Sequence, residues 1–145
     1  MEKLQDIVFY SLEKAIKSYR QFAQRNIAKA GLKITIDQWL ILRTIQEEPS
    51  ITQQQLAEKV FKDMASITRM IELLVKNGYL VRDFHKEDRR RFQLTLSKNG
   101  VNVIKRLEPI IQNNRAKALE KITQTEIVTL ERTLAKISSN CHEEY

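Results

Sequence analysis

Hydrophobic residues recur at three- and four-residue steps along most of the chain, the spacing of one face of an α-helix. This pattern predicts a long first helix over residues 4 to 29 and a second helix that opens at Thr35 and stops before Pro49. Three helix starts carry a capping box, in which Thr and a Gln or Glu three residues later satisfy each other's backbone amides. These boxes are Thr35 with Gln38, Thr52 with Gln55, and Thr123 with Glu126.

The middle of the chain predicts two short helices joined by a tight turn. The first runs from Thr52 to Val60, and three residues separate it from the second, Met64 to Asn77. Asp63 is a good N-cap for the second helix, and Gly78 is a good residue to end it. The apolar residues of the second helix share one face, which should pack inward. They are Ile67, Met70, Ile71 and Leu74.

Two β-rich segments follow, Tyr79–Asp83 and Phe92–Leu96, and they predict an antiparallel hairpin to which Ser50–Ile51 adds a short strand. From Arg82 to Arg91, around its tip, there are five Lys or Arg and three Asp or Glu. Three of the arginines are consecutive. Because neighbouring residues of a hairpin point to opposite sides, at least one of them should project freely.

The last third of the chain predicts two more helices. Ser97 caps the first, which contains Pro109 and therefore either kinks or begins anew there. In the last helix the apolar residues repeat at alternating steps of three and four, as in a coiled coil. They are Ile127, Leu130, Leu134, Ile137 and Cys141.

The outward face of the Met64–Asn77 helix is polar and carries small residues. Small side chains permit close approach to a DNA major groove, in which arginine can form two hydrogen bonds with guanine. An ordinary solvated helix face is the alternative interpretation. The residues of this face are Ala65, Ser66, Thr68, Arg69, Glu72 and Lys76.

Composition narrows the class of protein. The 145 residues carry a net charge of +7 and a pI near 9.6, which favours a polyanionic partner. Only part of this charge lies in the middle segment, since residues 50 to 96 hold nine Lys or Arg and six Asp or Glu. A single cysteine excludes an intramolecular disulfide. Since no membrane span or secretory signal is recognisable either, we expect a cytoplasmic protein.

Two motifs resemble the MarR family of bacterial and archaeal regulators, and the resemblance covers nearly the whole chain. The segment Asp88–Gly100 is similar to the family's wing signature, Asp-x-Arg, a strand and Leu-Thr-x-x-Gly, with Ser97 where Thr is usual. Leu56–Ala57 and Ser66–Arg69 match its helix-turn-helix spacing. Phe61 departs from the family, because such turns often carry a small residue or Gly.

The resemblance implies a mainly α fold of the α+β winged helix-turn-helix type, with about six helices and a small hairpin wing. We expect one domain over residues 1–145, in which 35–96 bind DNA and 1–34 and 97–145 are dimerisation helices. In such a homodimer the two recognition helices lie about 34 to 36 Å apart and bind a palindromic operator.

The resemblance also assigns roles to individual residues. Ser66, Thr68 and Arg69 would lie in the major groove, Arg90 would reach the minor groove, and Asp88 would hold the wing. A solvated turn residue is the alternative for Asp88. The DNA-binding residues expected are Thr52, Gln53, Lys62, Ala65, Ser66, Thr68, Arg69, Lys86, Asp88, Arg89, Arg90 and Arg91.

Many members of this family respond to a small aromatic or phenolic effector that enters a cleft beside the dimer helices. The aromatic candidates here are Tyr10, Tyr19, Phe22 and Trp39, with core packing as the alternative for each. Cys141 continues an apolar stripe and should be a packed, inert thiol. We expect no cofactor, and a frayed tail rather than a metal site at residues 141 to 144.

These inferences predict a DNA-binding transcription regulator, more in keeping with a repressor than an activator. A dimeric winged-helix module that binds protein instead of DNA is the alternative. The sequence contains no phosphate-binding loop, nucleophile elbow or metal-ligand pair, so an enzyme is not expected.

Overall fold

The computed structural model describes residues 1–84, 87 and 92–142, except the side chain of Phe92. These residues form six α-helices, one short 3-10 helix and a two-stranded antiparallel sheet, which confirms the predicted fold class. The 3-10 helix is Leu4–Asp6. The other elements are α1 (Val8–Lys29), α2 (Ile36–Glu47), α3 (Gln53–Lys59), α4 (Met64–Lys76), β1 (Leu80–Phe84), β2 (Phe92–Leu96), α5 (Lys98–Ala118) and α6 (Gln124–Cys141).

The chain forms two compact units, Met1–Asn114 and Arg115–Tyr145. The first unit holds the hydrophobic core, to which α1 to α5 and β1 contribute buried residues. Each of these helices is polar on its other side, so burial of the apolar stripe fixes which face points inward. The most deeply buried aliphatic side chains of this core are Ile27, Ile34, Ile41, Leu42, Leu56, Ile67, Ile71, Leu74 and Leu107.

The first helix is shorter than the sequence pattern predicts. Ile7 is extended, with φ −85° and ψ 121°, and separates the 3-10 helix from α1. The prediction of one helix from residue 4 to 29 is therefore wrong at its start. Apolar residues at four-residue steps fit a single helix and a broken one equally well, and no capping side chain marks the break at Ile7.

The other helix starts lie where the capping boxes predict them. Thr35, Thr52 and Thr123 each accept a hydrogen bond from the backbone N–H three residues later, and the side chain of that residue bonds back. The predicted strand at Ser50–Ile51 is wrong. Ile51 instead closes a turn by donating its backbone N–H to the Glu48 carbonyl at 3.0 Å, and it packs against the core.

Helix α5 runs without interruption from Lys98 to Ala118, so it does not begin anew at Pro109. Ser97 caps it by accepting a hydrogen bond from the Gly100 backbone N–H at 3.0 Å. Further along, the Asn114 side chain is buried, with 1% exposure, and its Oδ1 accepts a hydrogen bond from Asn26 Nδ2 of α1 at 2.8 Å. Asn114 Nδ2 finds no acceptor among the described residues.

The second unit contains α6, which carries the predicted apolar seam. Ile127 and Ile137 are half-buried, whereas Leu130 and Leu134 are 50% and 37% exposed. Cys141 is also exposed, so the prediction of a packed thiol is wrong for this chain. The apolar stripe continues to Cys141, but periodicity alone does not determine how far it is buried.

Candidate nucleic-acid interface

One face of helix α4 packs into the hydrophobic core, and the opposite face is exposed to solvent. Ile67, Ile71 and Leu74 are completely buried, which fixes the rotation of the helix about its axis. Ala65 and Arg69 on the opposite face are exposed, as the sequence predicts for a helix that enters a groove. The apolar stripe therefore sets which side chains face outward.

Asp63 fixes the start of α4. Its Oδ1 accepts the Ser66 backbone N–H at 2.7 Å, and its Oδ2 accepts the Ser66 hydroxyl at 3.1 Å. The hydrogen bond from the Ser66 backbone is the largest cause that lowers the pKa of the Asp63 carboxyl below its ordinary value. Arg69 Nη2 in turn donates to Ser66 Oγ at 3.4 Å. Asp63, Ser66 and Arg69 therefore form one connected set at the exposed start of the helix.

Thr68 and Gln53 join α4 to α3. Gln53 Nε2 donates to Thr68 Oγ1 at 2.7 Å, and the Thr68 hydroxyl donates to the Met64 carbonyl at 2.9 Å. A hydroxyl has only one proton, so in this arrangement Thr68 has no hydrogen to give to DNA. Its half-buried side chain therefore links the two helices through the hydrogen bond with Gln53.

The turn between α3 and α4 ends α3 in a Schellman motif. Phe61 N–H donates to the Glu58 carbonyl at 3.3 Å, and Lys62 N–H donates to the Ala57 carbonyl at 2.9 Å. Phe61 takes the left-handed position of this motif, with φ 60°, where glycine is usual. Its side chain is 89% exposed, so packing does not offset the strain. Phe61, which stands where such turns often carry a small residue or Gly, therefore occupies a strained backbone position.

Lys62 contacts a carboxylate of α2 rather than projecting freely. Lys62 Nζ lies 3.2 Å from Asp37 Oδ2, and Arg20 Nη2 of α1 lies 2.5 Å from Asp37 Oδ1. Burial by itself raises the pKa of the Asp37 carboxyl, but the hydrogen bonds and charges of Arg20 and Lys62 outweigh it and lower the pKa. Asp37 and Arg20 carry no signal in the sequence, because neither residue stands in a motif.

The remaining predicted residue of α3 is Thr52, which is exposed and acts as the cap of that helix. Gln55 N–H donates to Thr52 Oγ1 at 3.1 Å, and Thr52 N–H donates to Gln55 Oε1 at 3.0 Å. The structure thus places Thr52 and Gln53 together at the start of α3, and it places Ala65, Ser66, Thr68 and Arg69 along α4.

The hairpin pairs β1 with β2 antiparallel, with Leu80 opposite Leu96 and Phe84 opposite Phe92. Leu80 is buried in the core, and the following residues of β1 are exposed. This confirms the predicted hairpin. The expected DNA-binding residues of its tip lie outside the described residues, and their roles stay predictions. They are Lys86, Asp88, Arg89, Arg90 and Arg91.

Three of the aromatic residues predicted as effector contacts lie on α1, and the fourth, Trp39, lies on α2. Tyr10 lines a shallow, open depression on α1 together with Glu13, Lys14, Lys17, Ser18 and Gln21. Tyr19 and Phe22 are half-buried. Trp39 packs against the core, and its buried Nε1 has no acceptor within the described part of the chain.

The residues that the structure describes contain no group of three or more His, Cys, Asp or Glu side chains that could hold a metal ion. None of their helices combines the length and the apolar character needed to cross a bilayer.

Helices α3 and α4 with the turn between them, followed directly by the antiparallel hairpin, form a winged helix-turn-helix fold. The sequence model of the MarR family matches residues 34–92, from the residue before the N-cap of α2 to the first residue of β2. Over this segment the chain is similar to members of the MarR family.

Individual proteins are also similar to this chain. SarZ, a helix-turn-helix transcriptional regulator from Staphylococcus haemolyticus, is 27% identical over 104 residues, which cover 72% of this chain and 67% of the relative. The structure of BpsR from Bordetella bronchiseptica has a TM-score of 0.85 at 20% identity and covers 95% of this chain and 97% of BpsR. A MarR variant from E. coli in complex with operator DNA has a TM-score of 0.79 at 22% identity, covering 87% and 89% of the two chains. The two structures show the shared fold.

Proposed function

We propose that the protein is a homodimeric transcription regulator that binds a palindromic operator in double-stranded DNA and acts as a repressor in the cytoplasm. The arrangement of helix α4, with one face buried and the other exposed, supports this proposal. Three fully buried aliphatic residues fix the helix, and Ala65 and Arg69 are left on its exposed face beside the hairpin. Similarity to the MarR family over residues 34–92 and to relatives named as transcriptional regulators supports the same function.

Dimerisation is the second part of the proposal. Helix α1 exposes Val8, Phe9 and Ile16, and α6 exposes Leu130 and Leu134. Exposed apolar residues repeated along one helix are typical of a surface that another chain covers. A second copy of the chain would cover both helices and would set the spacing of two recognition helices. Light scattering at micromolar concentration should give the mass of a dimer, and a monomer would contradict this part.

We further propose that a small aromatic effector changes DNA occupancy. The structural relative BpsR, whose DNA binding is regulated by 6-hydroxynicotinic acid, supports a ligand of this class. Such a ligand needs only to bind more tightly to the conformation that does not fit the operator, since it shifts the equilibrium by its differential affinity. Tyr10, Tyr19, Phe22 and Trp39 remain the proposed contacts.

DNA binding can be tested before the operator is known. Fluorescence anisotropy with a random duplex should give an affinity that falls with salt, with a log-log slope of about −0.9 for each phosphate contacted. Affinity that does not depend on salt would favour the protein-interaction module instead. Once selection from random duplexes has given a preferred site, individual arginines can be tested on it.

Arg69→Ala should weaken binding to the selected site by about 1 to 3 kcal/mol and relax the preference at one base position. Arg25→Ala, which removes an exposed arginine of α1, is the matched control.

Arg90→Ala should act chiefly on sites with A·T-rich flanks, because narrow minor grooves attract arginine. Equal losses on every sequence would instead make both residues phosphate contacts.

A further inference from the structure

The Asp37 carboxylate is the junction of three segments of the first unit. It accepts Arg20 from α1 at 2.5 Å and lies 3.2 Å from Lys62 Nζ in the turn between α3 and α4. Asp37 itself stands in the first turn of α2. One side chain therefore ties the long N-terminal helix to the residue that precedes the N-cap of α4.

Lys62 is placed where a lysine would be expected to reach DNA. It immediately precedes Asp63, the N-cap of α4, and the N-terminal residues of a recognition helix are those that approach the bases and the adjoining backbone. A lysine there is ordinarily a phosphate contact. In this structure its ammonium lies instead beside a carboxylate, which competes with phosphate for the same charge.

The contact is only partly shielded from solvent. The side chains of Lys62 and Asp37 keep 36% and 25% of their exposure. Arg20 supplies a second positive charge to the same carboxylate, so Asp37 stays ionised and keeps attracting Lys62. The neighbouring carboxylate of Asp63 uses both of its oxygens on Ser66.

We propose that Asp37 is a positioning residue for DNA binding, which holds Lys62 in the turn and away from DNA phosphate. This inference rests on the DNA-binding function proposed above. It gives Lys62 a role different from the expected one: the lysine fixes the turn before α4 against α1, and it becomes a phosphate contact only when the Asp37 charge is lost.

A cycle of four proteins tests the proposal on a random duplex: wild type, Asp37→Asn, Lys62→Gln and the double variant. Asp37→Asn frees one ammonium, so the log-log salt slope should steepen by about 0.9. The ratio of affinities at 50 mM and 200 mM salt should therefore grow about 3.5-fold. Lys62→Gln should leave the slope of the wild type unchanged and should abolish the increase in the double variant.

Two controls separate this effect from charge and from folding. Glu47→Gln removes the same charge from α2, where Glu47 pairs with Arg43 of its own helix at 3.2 Å, and should leave the slope unchanged. Asp37→Glu keeps the charge and should restore the slope of the wild type. Circular dichroism melts establish that each variant is folded at the temperature of the binding assay.

The outcomes are distinct. If the wild type shows no salt-dependent binding to DNA, the proposed function itself fails. If the wild type binds but Lys62→Gln alone lowers its slope by about 0.9, Lys62 already contacts phosphate and the inference is overturned. This single variant decides the matter even if Asp37→Asn does not fold. An unchanged slope in a folded Asp37→Asn protein would overturn the inference equally.

Discussion

Gly100 packs directly against the backbone carbonyl of Tyr79. A Cβ at Gly100 would overlap that carbonyl oxygen and would lie 3.0 Å from Leu96 Cδ2. Ser97 N–H donates to the same oxygen at 3.0 Å, and the Ser97 hydroxyl donates to the Gly78 carbonyl. The first turn of α5 is thus joined to the end of α4 and the start of the hairpin by backbone contacts that leave no room for a side chain.

Gly100→Ala should therefore destabilise the protein, by about 1 to 3 kcal/mol, because the added methyl group forces the backbone of Tyr79 to move. Urea denaturation followed by circular dichroism measures the loss. Gly31→Ala is the control: no atom lies within 4 Å of its Cβ position, and only its positive φ of 80° opposes the change. A gain in stability at Gly100, as expected for alanine in an open helix, would contradict the packing described.

Phe61→Gly should stabilise the fold by about 1 kcal/mol, because glycine adopts the left-handed conformation without the strain imposed by a Cβ. The ring of Phe61 is exposed, so its removal sacrifices little packing within the chain. Thermal melts measure the change. Phe61→Ala removes the ring and keeps the strain, so its melting temperature should remain near that of the wild type. Equal gains in both variants would mean that the ring, and not the backbone, is the source of the strain.

The lowered pKa of Asp37 makes the free energy of unfolding depend on pH. Its pKa in the folded protein lies below the ordinary value of 3.8, so the unfolded chain binds a proton more readily than the folded one. The carboxylate's contribution is present above the unfolded pKa and is lost as pH falls through the folded pKa. The difference in unfolding free energy between wild type and Asp37→Asn should be constant near neutral pH and shrink in acid. A difference that grows as pH falls would contradict the lowered pKa.

The bond between Gln53 and Thr68 should appear as a coupling energy. A double-mutant cycle of Gln53→Ala and Thr68→Val, measured by urea denaturation, should give about 1 kcal/mol of coupling between α3 and α4. In the control cycle Thr44→Val replaces Thr68→Val, because the Thr44 hydroxyl also donates to a carbonyl of its own helix, that of Leu40 at 2.6 Å. The control pair should be additive. Additivity in both cycles would remove the inferred role of Gln53.

Most of the fold follows from rules that act within a few residues. The capping boxes at Thr35, Thr52 and Thr123 mark their helix starts, because the partner of each threonine is three residues away. Failures occur where local signals are equivocal. Ile7 interrupts a periodic apolar pattern without a capping side chain, and Ser50–Ile51 is β-compatible in sequence but forms a turn.

The candidate site was predicted less completely, since its decisive contacts join distant residues. The sequence identifies Ser66 and Arg69 because they share a helix face, and the structure brings them within hydrogen-bonding distance. It gives no sign that Lys62 contacts Asp37, which lies in another helix. It also does not show that the Thr68 hydroxyl is already used by Met64. Contacts between elements depend on how the elements pack, and periodicity alone carries no such information.

The amide pair of Asn26 and Asn114 has a consequence for how α1 and α5 are aligned. The hydrophobic effect is not directional, so aliphatic contacts alone distinguish weakly between different alignments of α1 and α5. The buried Asn114 accepts a hydrogen bond from Asn26 at 2.8 Å. If one helix shifted along the other, this bond would break and the Asn114 oxygen would be buried without a partner, which is strongly disfavoured. The hydrogen-bonded pair thus favours one relative alignment of α1 and α5, the two longest helices of the first unit.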